Sequence, residues 1–140
     1  MSIISMSEMT SLALHGIMYI GLQENTLVSV KEVAEALGAS EAHLSKVLQK
    51  LVKAGFLSSI RGPKGGFALA KAKDKIKLYE IYELFEGKVN EDCGCPMSRK
   101  QCAFKACPFK KVFSLCYKEF YKEFTEKTLA DAFAMEEKQL

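Results

Sequence analysis

The sequence predicts a mainly α-helical chain that carries one small β-hairpin. Three observations predict it. Two short amphipathic segments are separated by a three-residue turn at Gly38, Ala39 and Ser40. A pair of apolar runs, FLSSI and FALA, then flanks the Gly/Pro-rich stretch RGPKGG, as strands flank a turn. A long aromatic-rich segment beginning at Pro108 closes the chain with apolar residues at helical spacing.

Taken in order, Ser5 followed by Glu8 fits a capping box that opens a first helix running to about Gln23. Met9, Leu12, Ala13, Ile17 and Ile20 share one stripe and are expected to face the core. Glu8, Ser11 and His15 share another stripe that could reach a partner subunit; by spacing alone, His15 reads as a partly exposed helix histidine without a role.

Ser29 and Glu32 repeat the capping-box pattern ahead of VKEVAEALG, which ends on Gly38. Ser40 can cap SEAHLSKVLQKLVKAG, in which Leu44, Val47, Leu48 and Leu51 form the buried face before Gly55 ends the helix. Two short helices with a tight turn make a helix-turn-helix. A hairpin directly after the second helix (Phe56 to Ile60 paired with Phe67 to Ala70) is a wing. Lys77 to Gly87 reads as a helix with Leu78, Ile81, Tyr82 and Phe85 inward. Pro108 fits the first position of the long helix, whose Phe109, Val112, Phe113, Cys116, Phe120 and Phe124 form a stripe. That stripe has more to bury than a small domain can cover, which suits packing against a symmetry mate; Cys116 is expected to be a plain core residue. Thr128 to Leu140 can form one more helix.

Composition narrows the function. At 140 residues with 49% hydrophobic, the chain can bury a real core without disulfide staples. The start shows no basic segment of a secretory signal, and the apolar run Leu12 to Leu22 is too short to span a bilayer. A cytoplasmic, reducing setting without a membrane is therefore expected. The net charge of +3 hides an asymmetry. From Lys46 to Lys75 eight basic residues face one acid, Asp74, whereas from Ile76 onward eleven of each sign cancel. A basic stretch beside a helix and a Gly-rich turn is a footprint for a phosphate backbone. The stretch Gly62 to Gly66 lacks the spacing of a Walker loop and no catalytic triad is apparent, so an enzyme is not expected.

On a helix-turn-helix, the N-terminal turn of the second helix reads base edges in the major groove of double-stranded DNA. Glu41, His43, Ser45 and Lys46 are the candidate readers; Ser40, Lys50, Arg61, Lys64 and Gly65 are the further candidates for DNA contact, Arg61 and Lys64 through phosphates or the minor groove.

Four of the five cysteines fall in CGCPMSRKQCAFKAC, Cys93 to Cys107, with spacings C-x-C, C-x6-C and C-x4-C. Thiolates on one loop suit zinc, copper(I) or an iron–sulfur cluster, and the two well-separated C-x2-4-C pairs of a structural zinc site are missing. Reduced structural thiols or a disulfide loop would also give this density.

The stretch KEVAEALGASEAHLSKVLQKLVKAGFLSSIRGPKGGFALAK followed by a cysteine loop resembles the Rrf2 family of bacterial transcription regulators, which includes the iron–sulfur biogenesis regulator, the nitric-oxide-sensing repressor and the cysteine-metabolism repressor. The resemblance covers nearly the whole chain; the RGPKGGF wing and the cysteine loop carry it most specifically. It implies a homodimer of winged helix-turn-helix domains with a long dimerisation helix and, in many members, an iron–sulfur cluster (2Fe–2S or 4Fe–4S) that controls operator binding. It also implies Cys95, Cys102 and Cys107 as ligands, with Cys93 an additional thiol that could replace or join Cys95. LALH, Leu12 to His15, resembles members that supply a histidine ligand from the other subunit. Ser11 stands where some members have an acid.

The expected division is residues 1–75 for the winged helix-turn-helix, 76–107 for a connecting helix and cluster-binding loop, and 108–140 for the dimerisation helix and tail. Two other readings remain at this point. One is a cluster-free regulator of the same fold answering to a small molecule or a partner protein. The other is a small redox or electron-transfer protein with an incidental basic wing.

Overall fold

The computed structural model describes residues 6–88, 103–104 and 106–138. Helix α1 (Glu8–Leu22) is capped by Ser7, whose hydroxyl accepts the amide of Thr10. The sequence pattern pointed to Ser5 instead, which lies outside the described residues. The Ser5–Glu8 spacing imitates a capping box, but the helix starts at Glu8 itself, one residue after Ser7.

Helix α2 (Val30–Leu37) opens with the expected capping box of Ser29 and Glu32 and ends on Gly38 at φ 62°, where glycine avoids the Cβ penalty of left-handed geometry. Helix α3 (Glu41–Lys53) follows after Ala39 and the cap Ser40. Its Leu44, Val47, Leu48 and Leu51 are fully buried, facing Ala13, Ile17 and Ile20 of α1. Gly16 lies at this contact: a Cβ there would meet Leu48 at 3.4 Å and Leu44 at 3.7 Å, ordinary van der Waals distances.

Strands β1 (Leu57–Ile60) and β2 (Gly66–Leu69) form the antiparallel wing, Leu57 opposite Leu69 and Ile60 opposite Gly66. Val28 joins the far edge of β2 by a reciprocal backbone pair with Phe67, at 3.0 and 2.8 Å. The wing glycines are steric requirements. A Cβ on Gly65 would fall 2.0 Å from the Ile60 carbonyl oxygen, and one on Gly66 2.7 Å from that of Val28. The expected linker at residues 71–75 contains a 3-10 turn, Lys73–Lys75.

Helix α4 (Leu78–Glu86) buries Ile81 and Tyr82. Helix α5 (Pro108–Glu126), with proline in its first turn as expected, returns along it. Tyr82 meets Phe120 and Phe124 edge-on at 5.3 and 5.7 Å, and Tyr79 meets Tyr121 at 5.0 Å. Those contacts use the C-terminal half of α5 only. Phe109 (61% exposed), Val112 (58%) and Leu115 (57%) of its first half keep their apolar surface. Cys116 is exposed as well, which corrects its expected place in the core: it lies in the first half of α5, whose apolar residues are not buried, whereas the ring contacts with α4 fall further along the helix.

Helix α6 (Leu129–Glu137) folds back on the N-terminal unit. Leu129 donates its amide to the Ile76 carbonyl at 2.8 Å and is itself 1% exposed. Phe133 packs so tightly over Gly21 that a Cβ there would lie 3.0 Å from the ring.

Candidate nucleic-acid interface

The three-residue turn before α3 leaves the first turn of that helix projecting from the core. Burial of its Leu44, Val47, Leu48 and Leu51 commits one face inward, so the other face presents Glu41, Ser45, Lys46, Gln49 and Lys53. Ser40 is exposed and its hydroxyl accepts the His43 amide at 3.5 Å. His43 is half-buried, with Nδ1 3.9 Å from a carboxylate oxygen of Glu8 on α1. Ser45, Lys46, Gln49, Lys50 and Lys53 line a shallow groove of about 420 Å³. Gln49 and Lys53 were not among the sequence candidates, although their spacing of three and seven residues from Lys46 places them on its stripe.

Of the eight cations of the basic run, Lys73 pairs with Glu24 at 2.7 Å and Lys75 with Asp74 at 3.6 Å, and the other six fall into two sets. Lys50 Nζ sits 4.6 Å from the centre of the Phe85 ring, and Lys71 Nζ 4.7 Å from that of Phe56. These two cover aromatic surface with their stems and are held in place by the ring faces. Lys46, Lys53, Arg61 and Lys64 are exposed, and none is paired with a carboxylate among the described residues. Arg61 and Lys64 stand at the wing tip; Gly65 beside them spends its N–H on the Gly62 carbonyl at 2.9 Å. The result is a reading helix and a basic wing on one compact scaffold, which can meet a groove and its phosphates together.

The candidate ligands are placed as follows. His15 is exposed on α1, and its Nδ1 lies 2.7 Å from the Ser11 carbonyl oxygen. A carbonyl only accepts, so Nδ1 is the donor in this contact; in a neutral ring the lone pair would then lie on Nε2. Beside it, Ser11, Leu12, His15 and Leu37 line a small cavity of about 210 Å³. Cys107 is half-buried and is the N-cap residue of α5. Cys93, Cys95 and Cys102 lie outside the described residues. Among the described residues, no three His, Cys, Asp or Glu side chains converge.

Comparison with known proteins decides the family. A model of the Rrf2 family, described as an iron-dependent transcriptional regulator, matches residues 6–135. The chain belongs to the Rrf2 family. A helix-turn-helix-type transcriptional regulator of Aquifex aeolicus is 32% identical over 136 residues, 96% of this chain and 94% of the relative. The structure of T. potens IscR superposes with a TM-score of 0.74 at 26% identity, covering 98% of this chain and 92% of IscR. CymR, the global cysteine regulator of B. subtilis, superposes with a TM-score of 0.71 at 24% identity, covering 95% and 98%. This Rrf2 protein is therefore a winged-helix, DNA-binding transcription regulator, and the family contains regulators, not enzymes. Among the described residues no helix is long and apolar enough to cross a membrane.

Proposed function

We propose that this regulator acts as a homodimer whose affinity for a double-stranded operator is set by an iron–sulfur cluster held between subunits. The observation that carries the reading is His15, which is exposed on α1 and whose Nδ1 is tied to the Ser11 carbonyl at 2.7 Å. A metal-bound imidazole commonly has its other nitrogen fixed in this way.

The donor set fits the group. Cys107 is the N-cap residue of α5, and the first turn there holds no acid. Lys110 and Lys111 follow directly. Cys95, Cys102 and Cys107 would hold the cluster in one subunit and His15 of the partner subunit would complete it, with Cys93 the spare thiol of the pair. When bound, the cluster supplies ligand bonds that oxidation or nitric oxide can break.

The chain's own residues do the rest. Glu41, His43, Ser45 and Lys46 face the major groove as base readers. Ser40, Arg61, Lys64 and the backbone at Gly65 meet the flanking sugar–phosphate, and Lys50 joins them only when its ammonium leaves the Phe85 ring. The exposed half of α5 packs against its symmetry mate and holds the two reading helices about 34–36 Å apart, the spacing of successive major grooves. His15 on α1 links that spacing to the loop of the other subunit, because α1 packs directly on α3.

The test is protein purified without oxygen, as wild type, Cys107→Ala and His15→Ala. Visible absorption with stoichiometric iron and sulfide is expected for the wild type and absent for Cys107→Ala. His15→Ala should shift the spectrum and blunt the change in operator affinity on oxidation. Colourless, iron-free wild type that still binds its operator would leave the cluster-free regulator standing. Wild-type switching in His15→Ala would remove the histidine from the mechanism.

A further inference from the structure

A capping box is ordinarily closed within one helix: the cap hydroxyl takes the N3 amide, and an N3 carboxylate returns to the cap amide. Helix α1 has only the first half. Ser7 Oγ accepts the Thr10 amide at 3.2 Å, but position N3 is Thr10 itself, with no carboxylate to return. The missing half comes from α4, where Glu86 Oε1 accepts the Ser7 amide at 2.8 Å. The same oxygen accepts the hydroxyl of Thr10. Thr10 is fully buried, and its hydroxyl also lies 2.9 Å from Ser7 Oγ, so Glu86, Ser7 and Thr10 close one hydrogen-bonded group.

Glu86 is the last residue of α4, and the residue before it grips a second helix. Phe85 lies under the ammonium group of Lys50 on the reading helix. At the other end of that helix, His43 faces Glu8, the residue after Ser7. One turn of α4 thus holds the start of α1, and through it and Phe85 both ends of the groove-facing surface of α3. The chain leaves this turn through Gly87, in left-handed geometry at φ 84°, and reaches Cys93 seven residues after Glu86 (93 − 86 = 7).

We infer that Phe85 and Glu86 form a clasp by which the chain entering the cysteine loop positions the reading helix. Glu86 is a positioning residue that acts through α1. Phe85 acts directly, by withholding the Lys50 ammonium from a phosphate. The regulatory part of this inference rests on the cluster reading above; the mechanical part stands on contacts within the described residues.

The experiment compares full-length wild type, Glu86→Ala, Glu86→Gln and Phe85→Leu, each cluster-free and reconstituted with iron and sulfide. Hydrogen exchange in the cluster-free proteins is read first. Glu86→Ala should speed exchange about tenfold in the first turns of both α1 and α3, as expected for losing a charge-assisted bond. Glu86→Gln keeps a carbonyl acceptor and should stay within roughly threefold of wild type. Phe85→Leu should leave α1 unchanged and raise the salt slope of operator binding by about one unit, since Lys50 is freed to neutralise one phosphate. In reconstituted protein, Glu86→Ala should retain the visible spectrum while the ratio of loaded to unloaded operator affinity falls about fivefold or more.

Faster exchange confined to α1, with α3 and the salt slope as in wild type, would overturn the clasp. A wild type that takes up no cluster would refute the cluster reading alone, and the exchange and salt measurements would still decide the clasp. If Glu86→Ala does not fold, Phe85→Leu carries the same decision through the salt slope.

Discussion

Helices α3 and α5 are both amphipathic, yet one loses its apolar face entirely and the other keeps half of it. In α3, Leu44, Val47, Leu48 and Leu51 are each 0% exposed. In α5 no residue is buried, and the first half still shows Phe109, Val112, Phe113 and Leu115. The same sequence signal, an apolar stripe at helical spacing, has met its partner in one case only. The difference teaches that an apolar stripe records that burial will occur and does not record against what. The winged helix-turn-helix buries its apolar face within one chain, whereas the start of α5 keeps an apolar face that the described residues do not cover. Under the proposal above, the same stretch of a second copy covers it.

The largest effect that would sharpen this contrast is expected in α3. Leu48→Ala removes a fully buried side chain between α1 and α3. It should cost about 2–5 kcal/mol in denaturant unfolding. Val112→Ala, made at 58% exposure, should cost little in the monomer. Equal losses from the two variants would break the comparison.

A second measurement asks what covers α5. Val112→Glu places a charge in the exposed stripe and should leave circular dichroism unchanged while converting the protein to monomers in sedimentation. Two linked half-site contacts then become independent, so operator affinity at nanomolar protein should fall about a hundredfold. A Val112→Glu protein that sediments as a dimer and binds normally would show that α5 is not the interface.

Acid should loosen the helix ends before the α3 core. Hydrogen bonds from Ser7 and then Thr10 hold the Glu86 carboxyl below the ordinary range; those from Ser29 do the same for Glu32, and those from Thr128 for Asp131. Each folded form binds its proton less readily than the unfolded chain. Their stabilisation is therefore fully present above the ordinary values, 4.5 for glutamate and 3.8 for aspartate, and is lost as the pH falls through the lower folded values. Amide resonances of the first turns of α1, α2 and α6 should broaden in that window while those of Leu44 to Leu51 stay sharp. Simultaneous loss of both sets would mean that caps and core melt as one unit.

Much of this architecture was legible in the sequence, and the reason differs by element. Local rules placed α2, α3 and the wing, because Ser29, Glu32, Gly38, Ser40 and the RGPKGG turn all act on neighbours within a few residues. The cap of α1 was missed by two residues because its carboxylate, Glu86, lies 79 positions away from Ser7. No local pattern carries that information. The groove residues Gln49 and Lys53 were readable from the spacing after Lys46 but were passed over in favour of the first turn. For the ligands, residue type and density pointed to the loop, while the choice among its cysteines rests on resemblance and lies outside the described residues, Cys107 excepted.

The smallest expected effect is at Cys116, and it separates the two ways of reading α5. If the stripe were an intrachain core, truncating this thiol would remove buried apolar surface and cost on the order of 1 kcal/mol. The side chain is exposed, so Cys116→Ala should change monomer unfolding by less than about 0.5 kcal/mol and leave iron content unaltered. Its accessibility should instead depend on assembly, because it lies in the stripe with Val112 and Phe113. Alkylation followed on the peptide that contains Cys116 should slow as protein concentration rises and stay fast in Val112→Glu. A rate independent of concentration would mean that no second copy covers this face, and the apolar half of α5 would need another partner.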